Sequence, residues 1–223
     1  MCRRYLFSLL ILFSALLASC SIDNDAEVYY LQLGVVKGNS ASTFMIETDG
    51  GKILRPVQYP MNYEISAGKR VLVRYALVST VEDQVYDHTV RIESIQNVLT
   101  KNLIHANETV RDTIGNDPVR IVDAWISKDY LNVEFIFWGY NKPHYFDLVF
   151  DSEKQDKPGF IALDFHHNMK NDLSYSQFRG LISFSIEELQ DEQLTSIKVL
   201  FRAKDDSFKS KELTYKYVDE ETN

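Results

Sequence analysis

The sequence contains few cysteines: Cys2 and Cys20 are the only two among its 223 residues. Both lie within the first twenty residues, so the rest of the chain has no thiol. This absence excludes a structural disulfide, a thiol nucleophile and a cysteine-ligated metal site from the part of the chain that folds. Cysteine hydrolases, thiol redox proteins and cysteine-rich zinc proteins are therefore excluded.

Positive charge is also scarce. The chain has 24 Lys and Arg against 32 Asp and Glu, a formal net charge of −8. A protein that binds nucleic acid in a general way needs an excess of cations on its binding face to neutralise phosphates. We therefore expect no nucleic-acid partner.

No apolar run approaches the roughly 20 residues that cross a bilayer as a helix. The longest, residues 5–17, follows Arg3 and Arg4 and ends at Leu17-Ala18-Ser19-Cys20. A basic start, a short apolar run and small residues at its end are typical of a secretory signal. The last four residues resemble the lipobox of bacterial lipoproteins, which predicts a signal peptide over 1–19. The alternatives are an ordinary secretory signal with a chance cysteine, or a transmembrane anchor.

Cleavage before Cys20 changes the length and the net charge of the chain. It leaves 204 residues, and the loss of Arg3 and Arg4 takes the net charge from −8 to −10. The cysteine then carries diacylglycerol on its sulfur and an acyl group such as palmitate on its amine, enough acyl chains for stable membrane anchoring. Residues 20–27 form an acidic tether that resembles surface-export signals. We expect an outer-membrane lipoprotein, at the cell surface rather than on the periplasmic face.

Beyond the tether the chain has the pattern of an all-β protein. Five predicted strands, separated by turn residues such as Asp49-Gly50-Gly51, occupy residues 28–103. Their number and size predict an OB-like five-stranded barrel. Residues 104–118 are rich in Thr, Asn, Asp, Gly and Pro and are predicted to be a linker.

Residues 119–223 contain seven further predicted strands with breaks every 8–15 residues, which favours an immunoglobulin-like β-sandwich. Alternation along these strands assigns Leu131, Val133, Phe135 and Phe137 to the interior. Only residues 186–194 have the pattern of a helical turn.

Catalytic signatures are missing. The sequence has no Gly-x-Ser-x-Gly elbow, phosphate-binding glycine loop or His-Glu-x-x-His helix. The adjacent His166 and His167 face opposite sides of a regular strand and do not converge on one ion. A cluster of His166 with Asp164, Asp147 or Glu134 is a weak alternative. We expect no enzyme activity, no cofactor and no metal.

Exposed aromatics are the best candidates for a binding surface. Alternation places Tyr130, Trp138, Tyr140 and Tyr145 on outward positions or loop edges, and amphipathic rings are common in recognition sites. They are candidates for contact with a glycan or a peptide. The other interpretation is that they cover the joint between the two domains or an outer sheet edge.

Several motifs together resemble one family, the NigD-like lipoproteins of Bacteroides and relatives. They are the lipobox at Cys20, the acidic tether, and three segments of the second domain: residues 122–135 (VDAWISKDYLNVEF), 142–149 (KPHYFDLV) and 163–168 (LDFHHN). The resemblance implies an OB-like domain followed by a β-sandwich. The family is named after a gene beside a bacteriocin gene, for which an immunity role was proposed, and the resemblance supplies no catalytic residues.

Three hypotheses of function follow. The first is a non-catalytic, lipid-anchored module for binding or assembly with an envelope protein. The second is capture of a glycan or a peptide by the aromatics of the second domain. The third is immunity to a bacteriocin, which depends on the resemblance alone.

Overall fold

The structure of the protein is a computed structural model that describes residues 27–80 and 85–217. The predicted signal peptide, Cys20 and the acidic tether up to residue 26 lie outside the described residues. Within the described part, no helix has the length and apolar character needed to span a membrane.

The first domain is a closed barrel of five strands in the order β1-β2-β3-β5-β4. These strands are β1 (Tyr29–Lys37), β2 (Met45–Thr48), β3 (Ile53–Gln58), β4 (Arg70–Thr80) and β5 (His88–Asn97). Their inward residues, among them Val36, Ile46, Leu54 and Val73, are buried in one core. The barrel and all five of its predicted strands are confirmed.

The second domain is a sandwich of two sheets. It contains one short helix and nine strands: β6 (Leu99–Asn102), β7 (Ile104–His105), α1 (Glu108–Thr113), β8 (Arg120–Ser127), β9 (Tyr130–Gly139), β10 (Tyr145–Phe150), β11 (Ile161–Asn168), β12 (Ser176–Ser185), β13 (Ser196–Ala203) and β14 (Ser210–Lys216). One sheet has the order β14-β13-β11-β10-β7 and the other β6-β12-β9-β8. Short 3₁₀ turns follow β10 and β12.

The core of the sandwich lies between the sheets and is dense in phenylalanine. Leu131, Val133 and Phe135 of β9 point into it as predicted, and the Phe135 ring lies 4.4 Å from the ring of Phe146. The all-β fold, a barrel followed by a sandwich, is therefore confirmed. Three strand pairs are parallel (β6 with β12, β7 with β10, β11 with β13), whereas immunoglobulin sandwiches have antiparallel sheets.

The sandwich begins in residues predicted for the end of the barrel and for the linker. Residues 99–102, in the predicted barrel, form β6, which pairs with β12, and residues 104–105, at the start of the predicted linker, form β7, which pairs with β10. Leu103 between them is buried in the sandwich core. Inside the predicted linker, α1 begins at its N-cap Asn107, whose side chain accepts a hydrogen bond from the Val110 amide. The pattern concealed these elements because they are short and largely polar.

One buried arginine joins the two domains. The side chain of Arg70, on β4, is 1% exposed and pairs in a bidentate manner with Asp49 at the β2–β3 turn. Its remaining donors reach the sandwich, where they contact Ser183 on β12 and Asn132 on β9. The ring of Tyr130 lies 4.1 Å from the guanidinium carbon. We call these five residues the Arg70 joint; it fixes the barrel against the outer face of the sheet that contains β9.

Candidate functional site

The structure does not bring the four predicted aromatics onto one surface. Tyr130 belongs to the Arg70 joint, in agreement with the interpretation that such rings cover the contact between the domains. Trp138 is exposed on the outer face of the same sheet, and Tyr145 is exposed on the other sheet, beneath the Lys170 ammonium group. Tyr140 follows β9 at one end of the sandwich, where it borders a cavity.

This cavity, which we call the aromatic pocket, has a volume of about 250 Å³. Its lining residues come from the ends of β9, β10 and β12 and from the turn before β12: Phe137, Gly139, Tyr140, Lys142, His144, Phe146, Asp172 and Phe178. Since apolar rings dominate this lining, the pocket suits an apolar group better than a polar one.

Two exposed rings, Tyr140 and Phe178, line the aromatic pocket, and a third, Tyr175, packs against Tyr140. Tyr175 is 79% exposed and packs edge-on against Tyr140, with their ring centroids 5.6 Å apart. Phe178 is half-exposed and stacks on Phe137 at 5.4 Å. Exposed rings that are held by neighbouring rings provide contact area at a low entropic cost, as recognition surfaces do.

One wall of the pocket contains a chain of hydrogen bonds between buried side chains. The Nδ1 atom of His167 lies 3.0 Å from the Pro118 carbonyl oxygen, and its Nε2 lies 2.8 Å from Nδ1 of His144. On the other side of the His144 ring, Nε2 lies 3.2 Å from a carboxylate oxygen of Asp172. The chain has a hydrogen-bond acceptor at each end, a carbonyl and a carboxylate.

Counting protons limits how many of these contacts are hydrogen bonds at once. A carbonyl and an ionised carboxylate only accept hydrogen bonds, so each of the three contacts needs a proton on an imidazole nitrogen. Two neutral imidazoles carry two protons between them. They satisfy two of the three contacts, and the third contact is a hydrogen bond only when the pair carries an additional proton.

The surroundings of His167 disfavour its charged form. Burial lowers the pKa of His167 below its ordinary value; the hydrogen bond to the Pro118 carbonyl opposes this effect, and the proximity of His144 adds to it. A neutral imidazole has one donor and one acceptor nitrogen, which matches the two contacts of this ring with Pro118 and His144.

Asp172 is held in its ionised form by the turn that surrounds it. Burial by itself raises the pKa of the Asp172 carboxyl group, but hydrogen bonds from the Tyr140 amide, the His144 ring and the amides of Leu173 and Asn141 outweigh burial. The net result is a pKa well below the ordinary value. The carboxylate thus stays ionised beside the His144 ring.

Gly139 permits the close contact between these groups. A Cβ atom at this position would lie 2.7 Å from Nε2 of His144 and 3.2 Å from a carboxylate oxygen of Asp172. Both distances are shorter than ordinary van der Waals contact. Glycine at the end of β9 is therefore required for the side chains to meet.

Two lysines lie beside the aromatic pocket. Lys142 donates to the backbone carbonyl groups of Lys170 and Asn171, and Lys170 lies over the ring of Tyr145. Within residues 27–80 and 85–217, neither lysine has a carboxylate oxygen within 4.0 Å of its ammonium group. The rim of the pocket is therefore locally basic on a chain whose net charge is negative.

The residues considered for a metal cluster are used elsewhere. His166 contacts the Gly115 carbonyl oxygen through Nδ1. Asp164 pairs with Arg202, Asp147 with Lys101 and Glu134 with Arg179. Among the residues that the structure describes, no group of three or more His, Cys, Asp or Glu side chains is arranged to hold a metal ion.

The arginines of the barrel are also engaged within the protein. Arg55 stacks on Tyr86, and Arg70 is buried in the joint. Arg74 pairs with Glu93, and Arg91 pairs with Glu27. These partners neutralise or cover the cations that a nucleic-acid backbone would need.

Sequence reasoning missed most of the aromatic pocket. Alternation on β11 does place His167 on the inward face with Phe165 and Leu163, and this signal identifies it as a buried histidine. Its contact with His144 depends on the register of β10 and β11, in which Phe146 lies opposite His167. A single sequence does not give that register, and it gives no reason to select Asp172 from 32 acidic residues.

Solved structures of other proteins share this two-domain fold. A protein of unknown function from Bacteroides vulgatus is 24% identical, with a TM-score of 0.72 over 87% of this chain and 93% of that one. A protein from Parabacteroides distasonis, whose name relates it to a toxin, is 25% identical, with a TM-score of 0.67 over 86% and 95%. A NigD-like immunity protein from Bacteroides caccae is 22% identical, with a TM-score of 0.65 over 84% and 96%.

Family comparison agrees with the fold. A search of curated proteins returned no match. The profile of the NigD-like N-terminal OB domain matches residues 33–98, which cover most of the barrel. The profile of the NigD-like C-terminal beta sandwich domain matches residues 102–217, which include β7 and α1. Neither description names a catalytic activity. The chain, with its OB barrel and its β-sandwich in this order, belongs to the NigD-like family.

Proposed function

We propose that the protein is a lipid-anchored, non-catalytic envelope protein that acts by binding a partner at the aromatic pocket. The observation that carries the proposal is a cavity of about 250 Å³ lined by four aromatic rings, of which Tyr140 and Phe178 are exposed, with the exposed ring of Tyr175 packed against Tyr140. Such a site suits an apolar side chain of a peptide or the apolar face of a sugar.

The absence of catalysis is proposed from the chemistry of the pocket. Among the lining residues, His144 and Asp172 are the imidazole and the carboxylate, and His167 contacts His144 from outside the lining; their ring nitrogens and carboxylate oxygens already contact one another or the backbone. A general base must present a basic atom to its substrate. Each ring nitrogen in this wall instead has a protein partner, so the wall serves as a rigid support.

The anchor is proposed from the sequence. The lipobox at Cys20 and the acidic residues that follow it support lipidation and transport to the outer membrane, with the folded domains at the cell surface. Mass spectrometry of the purified protein should find diacylglycerol and an amide-linked acyl chain on Cys20, and Cys20→Ser should release the protein from the membrane fraction. Protease treatment of intact cells should degrade the wild-type protein. A protein that resists the protease in intact cells but is degraded after the cells are lysed would contradict the surface location.

The binding role has a matched pair of variants. Phe178→Ser removes a ring from the pocket, whereas Trp138→Ser removes an exposed ring that does not line it. Peptide and glycan arrays probed with the purified protein should give signals that Phe178→Ser loses and Trp138→Ser keeps. Equal signals from both variants would contradict a binding site at the pocket.

Immunity to a bacteriocin is a second candidate, favoured by the similarity to a NigD-like immunity protein of Bacteroides caccae. A binding surface on an anchored protein also suits interception of a toxin at the envelope. Cells with and without the gene should differ in sensitivity to bacteriocins encoded nearby, and Cys20→Ser should abolish protection. Equal sensitivity of the two strains to those toxins would contradict this candidate.

A further inference from the structure

A group of apolar side chains is exposed at the end of the barrel where the described chain begins. Val28, just before β1, is 65% exposed, and Val78 of β4 is 57% exposed. Tyr30 and Leu77 are each 40% exposed. We call these four residues the barrel-end patch; contiguous exposed apolar residues of this kind usually mark a contact surface.

Strand register brings Val28, Tyr30 and Leu77 together on one face of the β1–β4 ladder, and Val78 is adjacent to Leu77 along β4. Tyr30 on β1 lies opposite Tyr75 on β4, and their rings stack with centroids 5.5 Å apart. Moving two residues along this antiparallel ladder brings Val28 opposite Leu77, on the same face as the stacked tyrosines. Val78 follows directly, where the pairing of β4 with β5 shifts between Leu77 and Ser79.

The neighbouring ionic side chains are neutralised in pairs. Arg91 pairs with Glu27, and Arg74 pairs with Glu93. The guanidinium group of Arg74 also lies 4.5 Å from the centre of the Tyr29 ring. Tyr29 and Arg74 alternate with the patch residues along β1 and β4, so they lie on the other face of the same strands at this end of the barrel. Ion-paired arginines beside tyrosines suit the boundary between headgroups and acyl chains.

The position of Cys20 identifies what covers this patch. Eight peptide units separate Cys20 from Val28, so the modified cysteine lies within about 29 Å of the patch even when the segment is fully extended. A tether this short gives the patch a high effective concentration at the membrane surface, so a weak apolar contact is enough to hold it there. The barrel end is thus the described surface nearest along the chain to the anchor.

We infer that the barrel-end patch rests on the lipid surface and orients the protein on the membrane. This inference depends on the proposed lipidation of Cys20. It adds a second, non-covalent contact with the headgroup and acyl-chain boundary, made by Val28, Tyr30, Leu77 and Val78. Tyrosine prefers this boundary, and the valine and leucine side chains contribute apolar area.

Single-cysteine labelling tests the inference, because the mature chain has no free thiol. Val78→Cys and Tyr175→Cys are each labelled with an environment-sensitive fluorophore, and the lipidated protein is placed on vesicles of phosphatidylethanolamine and phosphatidylglycerol. The label at position 78 should shift its emission to shorter wavelength and lose most of its intensity to quenchers on the lipid chains. The label at position 175, on the sandwich, should do neither.

A third variant tests whether apolar contact causes the effect. Leu77→Asp, introduced together with Val78→Cys, places a charge beside the label and should return its emission to that of the protein in buffer. A label at position 78 that stays in a water-like environment while the protein floats with vesicles overturns the inference. Shielding that requires added envelope protein also overturns it, because the patch would then be a protein contact.

Failure of the anchor is distinguishable from failure of the patch. If Cys20 carries no lipid, a polyhistidine segment replaces it and the chain is tethered to nickel-chelating lipids in the same vesicles. Shielding at position 78 then supports the patch without the proposed lipidation, whereas a solvent-exposed label overturns it.

Discussion

The Asp172 carboxylate and two imidazole rings are in contact with one another at the wall of the aromatic pocket. Asp172 and His144 are almost fully buried, and a buried charge is tolerated only when it is paired and hydrogen-bonded. Each member of the His144–His167–Asp172 chain therefore depends on the other two. Their charge state makes the stability of the protein depend on pH.

We expect stability to fall as pH decreases from about 6.5 toward 5. Burial lowers the pKa of His167 in the folded protein, so the unfolded chain binds a proton that the folded chain does not, and stability rises with pH across this window. The slope for one such group is at most about 1.4 kcal/mol per pH unit. Urea unfolding midpoints measured across the window check it.

Two substitutions test whether His167 causes this change of stability with pH. His167→Gln keeps a polar group against His144 but removes the titration, so its unfolding midpoint should vary less with pH. His105→Gln alters a histidine that is exposed at Glu188 and should leave the slope unchanged. If wild-type and His167→Gln proteins lose stability in parallel, another group is responsible.

Gly139→Ala should destabilise the protein by about 1–3 kcal/mol, the usual cost of forcing an extra methyl group into a packed site. The added carbon would lie 2.7 Å from Nε2 of His144 and push the ring away from Asp172. Gly50→Ala is the control, because the nearest atom to its added carbon is 3.9 Å away. Chemical denaturation should separate the two variants, and equal stability would show that the end of β9 can adjust.

At the scale of elements, the strands with a strong period of two were predicted correctly, because burial of one face imposes alternation on each strand separately. Leu131, Val133 and Phe135 in β9 are an example. The short strands β6 and β7 have no such pattern. Each is defined by a parallel partner distant in sequence, β12 and β10, and local sequence does not encode such a partner.

The same limit applies to the predicted aromatic surface. Alternation shows that the side chains of Trp138 and Tyr145 point away from the core, but it does not show that β9 and β10 belong to different sheets. Outward residues of the two sheets of a sandwich face opposite directions. Nor does the pattern show that the barrel covers part of one outer face, which buries Asn132 and engages Tyr130.

The role of β6, β7 and α1 can be tested with two fragments. A chain of residues 98–217 retains these elements, including buried Leu103 and the pair of Arg111 in α1 with buried Asp151. We expect it to fold, with dispersed amide signals in an NMR spectrum. A chain of residues 119–217 exposes an edge of β10 and of β12 and should aggregate or remain unfolded. Equal dispersion in both fragments would show that the sandwich is complete without them.

At the scale of the whole molecule, the Arg70 joint decides whether the two domains behave as one body. Arg70 forms its ion pair with Asp49 of the barrel, and its other contacts are with Asn132, Ser183 and Tyr130 of the sandwich. A guanidinium group with several planar donors suits this task, whereas a lysine provides a single flexible point of contact.

Arg70→Leu should cost about 3–5 kcal/mol, because it leaves the Asp49 carboxylate largely buried without its partner. It should also uncouple the domains, so that unfolding shows two transitions and small-angle scattering shows a broader distribution of distances. Arg74→Leu removes an exposed pair with Glu93 and should cost no more than about 1 kcal/mol. A single, unshifted transition for Arg70→Leu would contradict the role of the joint.

The order in which strands meet their partners has a kinetic consequence. The described pairings of the barrel lie within residues 29–97, so this domain can complete its sheet as soon as its own residues are free to fold. β6 follows it after one residue, yet its partner β12 begins at Ser176. Pairings so distant in sequence form slowly. The first strand of the sandwich must therefore wait, unpaired and beside a finished barrel, until most of the chain has been synthesised.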